Sequence, residues 1–143
     1  MYLLPGTTFT GNTLKGLYFE KLNEASFDNI TVDNNGTSET EHAAGIDINL
    51  KFGNYSTIEI KNSTISNNGK SNNNGGGILV KARISGGPSG IYGTNPATLN
   101  NVSIHNNFVT TNGAGTWGAG IRIGESNNSF TGTDVGPTAV ANP

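Results

Sequence analysis

Few residues in this chain have the type and spacing to do chemistry. Of two histidines, His105 stands in Val102-Ser103-Ile104-His105, with no acid or nucleophile in its own motif. An imidazole needs such a partner to act as a base or to activate a nucleophile. A solvated surface position is therefore expected for it, and no serine arrangement accompanies it. Cysteine is absent, which removes thiolate metal sites and disulfides together. Gly113-Ala114-Gly115-Thr116-Trp117-Gly118 fits the pattern GxGxxG. That fingerprint should follow a strand and open a helix. Here it leads into the strand-like Gly120-Ile121-Arg122-Ile123, so dinucleotide binding is set aside. Trp117, the sole tryptophan, has the ring to stack on a sugar, and anchoring its own glycine-rich loop is the plainer expectation. Asn-x-Ser/Thr sequons occur at Asn29, Asn35, Asn54, Asn62, Asn101 and Asn127. A chain this rich in Asn, Ser and Thr meets that pattern by chance.

Composition narrows the classes further. Apolar residues are 33% and charged residues 13% of 143, both below the usual share for a globular domain. Glycine (21 residues) and asparagine (22) fill the difference. The formal net charge is only −2, so charge repulsion does not expand the chain. One domain with many turns and a thin core is expected over residues 1–143. Eight Lys/Arg scattered among ten Asp/Glu form no basic stripe, so nucleic acid is not an expected partner. No apolar run reaches the length of a membrane span. Met1-Tyr2-Leu3-Leu4, followed by Pro5-Gly6, is too short for the apolar core of a signal peptide.

The elements that position these residues come from a hidden repeat. Phe27-Asp28-Asn29-Ile30-Thr31-Val32-Asp33-Asn34-Asn35 aligns with Ile60 to Asn68 and with Leu99 to Asn107. The shared pattern is apolar-x-Asn-x-x-(Val/Ile)-x-Asn-Asn. Weaker copies begin at Phe9 and Phe130, with Gly11 and Gly132 in the asparagine position. A second motif, Gly-apolar-x-apolar, recurs at Gly16, Gly45, Gly77 and Gly120, between successive copies of the first. Period-two alternation marks each segment as a half-buried strand, and no helical period is present. Such repeats predict an all-β solenoid of about five coils, with three short strands per coil and coils over roughly residues 8–136. Four apolar columns are expected. One holds Phe9, Phe27, Ile60, Leu99 and Phe130; another holds Leu14, Val32, Ile65, Ile104 and Val135. The third is Leu17, Ile46, Ile78 and Ile121, and the fourth Phe19, Ile48, Val80 and Ile123.

The phrase Ile60-Lys61-Asn62-Ser63-Thr64-Ile65-Ser66-Asn67-Asn68-Gly69, with Gly76-Gly77-Ile78 behind it, resembles the repeats of right-handed single-stranded parallel β-helices in the pectate-lyase-like superfamily. The resemblance implies a stacked asparagine ladder at a tight turn, for which Asn29, Asn62 and Asn101 are the candidates. It also implies that any substrate lies across the outward face of the Gly-Ile-x-Ile strand. The candidate polysaccharide-binding residues there are Tyr18, Glu20, Asp47, Asn49, Lys51, Lys81, Arg83 and Arg122, with Trp117 in the neighbouring loop. A lyase in this superfamily would need a lowered-pKa Lys or Arg and usually Ca²⁺ on clustered carboxylates. Asp47 and Glu20 are the only carboxylates in the first two outward rows, so neither Ca²⁺ nor another cofactor is expected, and no catalytic residue is assigned.

A parallel solenoid has two open ends with unpaired strand edges. No capping helix is visible at either end of the sequence. An excised piece of a longer solenoid, or ends that meet other copies, is the expectation. The function expected is that of a non-catalytic extracellular or cell-surface module. Its role would be structural or adhesive, through self-association or weak grip on polysaccharide. The alternative is a fragment of a polysaccharide lyase or hydrolase, or of a trimeric phage tailspike.

Overall fold

The structure is a computed structural model and describes residues 1–20, 22–37, 45–50, 56–69, 76–82, 102–113 and 120–123. These residues are all-β, with eleven short strands and no helix among them. The strands are β1 (Thr8–Thr10), β2 (Leu17–Phe19), β3 (Ala25–Asp28), β4 (Thr31–Asp33), β5 (Ile46–Leu50), β6 (Ile58–Lys61), β7 (Thr64–Ser66), β8 (Ile78–Ala82), β9 (Val102–His105), β10 (Phe108–Thr110) and β11 (Ile121–Ile123). Every strand pairing is parallel and joins strands three apart in chain order. Three sheets result: β1-β4-β7-β10, β2-β5-β8-β11 and β3-β6-β9. This arrangement is consistent with a β-solenoid.

Alternation puts one apolar stripe of each sheet inside. In the second sheet Leu17, Ile46, Ile78 and Ile121 are in register, as are Phe19, Ile48, Val80 and Ile123. These two columns are the ones expected from Gly-Ile-x-Ile. The other two need correction. Phe9 pairs with Val32, not with Phe27, and Val109 continues the column through Ile65. Ile104 pairs with Ile60 and so belongs to the column of Phe27. Leu14 is outside any strand and about half exposed. Leu99, Phe130 and Val135 lie outside the described residues.

The cause is a five-residue near-period inside the motif itself. Each third-sheet strand runs into apolar-x-Asn, the first-sheet strand after it into the same pattern at β4 and β7, and their apolar positions are five residues apart, as Phe27 and Val32 are. A copy can therefore slide by five and still match. The true first and fourth copies are Leu4 to Asn12 and Ile104 to Asn112. The backbone confirms this through its left-handed residues. One corner of each repeat carries Gly6, Asn29, Asn62 and Asn106, and the next carries Gly11, Asn34, Asn67 and Thr111, all at positive φ between 51° and 81°. Glycine and asparagine tolerate that region best.

The ladder also runs elsewhere than expected. Asn29 and Asn62 do turn corners, but their side chains are exposed, and Asn101 lies outside the described residues. The stacked amides belong to the residues after the second corner: Asn12, Asn35, Asn68 and Asn112. Asn12 Nδ2 donates to Asn35 Oδ1 at 2.7 Å, Asn35 Nδ2 to Asn68 Oδ1 at 2.9 Å, and Asn68 Nδ2 to Asn112 Oδ1 at 3.0 Å. Each donor's own backbone N–H bonds the same oxygen at 3.0–3.1 Å. The second amide hydrogen of Asn35, Asn68 and Asn112 goes to Phe9 O, Val32 O and Ile65 O, each at 2.9 Å. A buried polar group is tolerated when its bonds are made, and Asn35 and Asn68 are fully buried.

The core between the sheets is thin and aliphatic. Phe27, Val32, Ile46, Ile48, Ile58, Ile60, Ile65, Ile78 and Val80 have no exposure. The Phe19 and Phe27 rings stack at 5.4 Å. Gly16 and Gly45, each just before a second-sheet strand, make room for the ladder. A Cβ on Gly45 would sit 2.8 Å from Asn68 Nδ2 and 3.0 Å from Gly77 O.

Candidate functional site

The outward rows of the second sheet were the expected binding face. In register they read Tyr18, Asp47, Leu79, Arg122 and, two residues on, Asn49 beside Lys81. Alternation turns these residues away from the core as anticipated, yet the middle of the face is not solvated. Asp47 is 0%, Leu79 1% and Asn49 3% exposed. Only Tyr18, on the outer strand β2, keeps a half-exposed ring. Glu20 is exposed. Of Lys81 and Arg122 the structure gives backbone register alone. Lys51, Arg83 and Trp117 lie outside the described residues.

Lys15, which no motif marks, completes this cluster. Its ammonium forms an ion pair with Asp47 Oδ2 and lies 4.0 Å from the centre of the Tyr18 ring. Opposite charge and a π face together hold a cation there. The Tyr18 hydroxyl donates to Glu20 Oε1. Burial pushes the Tyr18 phenol well above its ordinary value. The bond to Glu20 and the charges of Glu20 and Asp47 add to the rise, and a hydrogen bond with Asn49 opposes it. The phenol thus stays protonated across the physiological range and serves as a hydrogen-bond donor. Asn49 Oδ1 is buried and accepts no hydrogen bond among the described residues.

A second polar group covers the outer face of β3, β6 and β9. Asp28, Lys61 and His105 share one register row, and Ser26, Glu59 and Ser103 share the next. Lys61 Nζ reaches Glu59 Oε2 at 2.7 Å and Asp28 Oδ2 at 3.9 Å. His105 Nε2 lies 3.2 Å from Glu59 Oε1. His105 is exposed, as expected, but it does have an acidic partner, supplied 46 residues earlier in the chain. The hydrogen bond from Lys61 leads the effects that hold the Glu59 carboxyl below its ordinary value, with His105 next. The Lys61 ammonium is raised chiefly by its bond to Glu59. Ser26 Oγ donates to Glu59 Oε2 at a long 3.5 Å. No group of three or more His, Asp or Glu able to hold a metal ion occurs among the described residues.

The arrangement defines a class by architecture: an all-β chain of parallel strands in stacked sheets, with a buried amide ladder at one corner. No family model, curated protein or solved structure matches the chain.

Proposed function

We propose that this chain is a right-handed parallel β-helix module of the pectate-lyase-like type, acting without catalysis at the cell surface or outside the cell. Its role is structural or adhesive, through end-to-end association of copies. Parallel crossovers are almost always right-handed, which supports the hand. One observation carries the functional reading. Among the described residues, strands β1 and β2 are hydrogen-bonded on one side only, and the ladder amide at that end, Asn12 Oδ1, receives no donor. Leu4 (80% exposed) and Leu14 lie beside that edge. An unpaired parallel edge with apolar neighbours is a template for another strand.

Thr7 O and Gly11 N pair toward β4. Alternation therefore leaves the Thr8 and Thr10 amides on the open edge. Light scattering behind size exclusion tests the reading. Apparent mass should rise with concentration in the wild type, and Thr10→Pro should suppress the rise by deleting an edge donor. A wild type that stays monomeric at the highest soluble concentration would sink it.

A second reading, weak polysaccharide binding, rests on the half-exposed Tyr18 ring, whose hydroxyl is held by Glu20. The ring would stack on a pyranose. Affinity electrophoresis through neutral and uronate polysaccharides should show retardation that Tyr18→Ala abolishes. Equal mobility in every gel would remove this reading.

A further inference from the structure

Three of the four ladder asparagines are followed by glycine: Asn35-Gly36, Asn68-Gly69 and Asn112-Gly113. Asn-Gly is the dipeptide most prone to lose its side-chain amide. The glycine nitrogen attacks Cγ of the asparagine, forming a new C–N bond. The Cγ–Nδ2 bond breaks, and ammonia leaves with the proton that the glycine nitrogen gave up. Water then opens the cyclic imide at either carbonyl, giving aspartate or isoaspartate. Glycine permits the attack because it has no Cβ to obstruct it.

The fold withdraws every participant. The three nucleophilic nitrogens are tied up as donors: Gly36 N to Asn12 O at 2.9 Å, Gly69 N to Asn35 O at 2.8 Å, and Gly113 N to Asn68 O at 2.7 Å. The three electrophilic amides are pinned as well. Each Oδ1 accepts two bonds from the preceding ladder residue, and each Nδ2 donates to a strand carbonyl. An amide held this way cannot swing its Cγ over the following nitrogen. Asn35 and Asn68 are also fully buried, away from the water that the second step consumes.

We propose that these three pairs are deamidation sites that folding switches off, and that conversion at them makes unfolding irreversible. The return path closes for a chemical reason. At position 68 a carboxylate would replace a donor that now serves Val32 O and Asn112 Oδ1. An acceptor-only group would face two acceptors, with a charge buried where no cation stands among its bonded partners. Isoaspartate would in addition lengthen the backbone by one atom and disturb the stacking register. The time the chain spends unfolded is thereby written into its covalent structure, a form of kinetic irreversibility. This inference does not depend on the functional reading above.

The test uses the full chain at mildly alkaline pH, folded in buffer or unfolded in urea, with deamidation mapped by peptide mass spectrometry. A synthetic peptide of residues 62–70 gives the unprotected rate in each solvent. Asn68 in the folded chain should convert at least about tenfold more slowly than in that peptide, as expected where reaction requires opening. The unfolded chain should match the peptide at Asn68, and Asn35 and Asn112 should lose the same protection. Folded-chain rates equal to the peptide rate would overturn the protection. After ageing in urea and dilution, the regained β circular dichroism should fall in proportion to ladder deamidation. Asn68→Asp should reproduce the loss, while Asn106→Asp, exposed at a corner, should fold normally. Full recovery of an aged chain, or a wild-type melting temperature for Asn68→Asp, would overturn the irreversibility.

Discussion

Two corners of each repeat follow the same local rule but differ in what stands behind them. In both, the chain turns at a left-handed residue, Asn or Gly everywhere but at Thr111; only after the first corner does a strand begin two residues later. After the second corner the following residue is asparagine four times, Asn12, Asn35, Asn68 and Asn112, and the amides bond without a break. After the first corner the same position holds Thr7, Ile30, Ser63 and Asn107. There the Ile30 amide donates to Ser63 Oγ at 3.1 Å and the Ser63 amide to Asn107 Oδ1 at 3.0 Å, but no continuous chain of side chains forms. One corner is a buried polar network with its bonds made; the other mixes an apolar plug with short polar links. Buried networks are costly to break in part, so the two corners should differ in what a single truncation does.

The largest effect is expected at Asn68. Its side chain makes four buried bonds, and Asn68→Ala orphans the Asn35 N–H, one Asn35 amide hydrogen and Val32 O, while Asn112 Oδ1 keeps the bond from the Asn68 N–H. At about 1 kcal/mol for each stranded group the loss is about 3 kcal/mol. Asn107→Ala strands two groups, the Ser63 N–H and Ile60 O, in a half-buried place. About 2 kcal/mol follows by the same reasoning. Urea unfolding of both variants makes the comparison. Equal midpoint shifts would mean that continuity of the ladder adds nothing.

Gly45→Ala probes the ladder from its flank. The added Cβ would meet Asn68 Nδ2 at 2.8 Å and Gly77 O at 3.0 Å, and Gly77 O is backbone that must move with its strand. Overpacking of this kind costs about 2–3 kcal/mol. Gly120→Ala, with nothing within 4 Å of its Cβ, is the matched control. If both variants melt together, the second-sheet glycines are not there for the ladder.

The sequence revealed the second sheet well and the other two less well, for a physical reason. Gly-Ile-x-Ile carries a glycine tag that occurs once per repeat, so Leu17, Ile46, Ile78 and Ile121 could align in only one way. The first and third sheets are written in a pattern that nearly repeats after five residues, which put Phe9 beside Phe27 and Ile104 beside Ile65. The left-handed corners were legible at Asn29 and Asn62, because few other residues adopt that backbone. The ladder was misplaced because a corner asparagine and a ladder asparagine are the same letter, and only burial separates Asn34 from Asn35. On the candidate face, alternation turned Asp47 and Asn49 outward correctly. Their burial depends on what packs over the sheet, which no short-range period encodes. Lys15 and the Glu59–His105 contact were likewise products of register between distant segments.

Thr111 offers a smaller test in the opposite direction. It is β-branched and sits at φ 51°, where the equivalent residues are Gly11, Asn34 and Asn67. A β-branched residue is strained there. Its hydroxyl donates to Asn67 Oδ1 at 2.9 Å, which offsets part of the strain. Thr111→Asn should stabilise by about 1 kcal/mol, since asparagine tolerates the conformation. A lower melting temperature would show that the hydroxyl bond outweighs the backbone term.

The smallest effect belongs to the exposed network on the third sheet, and its pH dependence separates it from the ladder, whose amides do not titrate. Glu59 has a depressed pKa in the fold, so its contribution is present above the ordinary carboxylate range and is lost as pH falls through the folded value. Lys61 is raised, so its contribution is present at neutral pH and is lost only as pH rises through its folded value, on the alkaline side of the ordinary lysine range. The wild type and Glu59→Gln should therefore differ slightly at neutral pH and converge as the pH is lowered from about 6 to about 3. Added salt should shrink the neutral-pH gap, because these groups are exposed and screened. Melting temperatures across that range, at low and high salt, check both statements. A gap that persists at the acid end would mean that Glu59 acts through packing and not through charge.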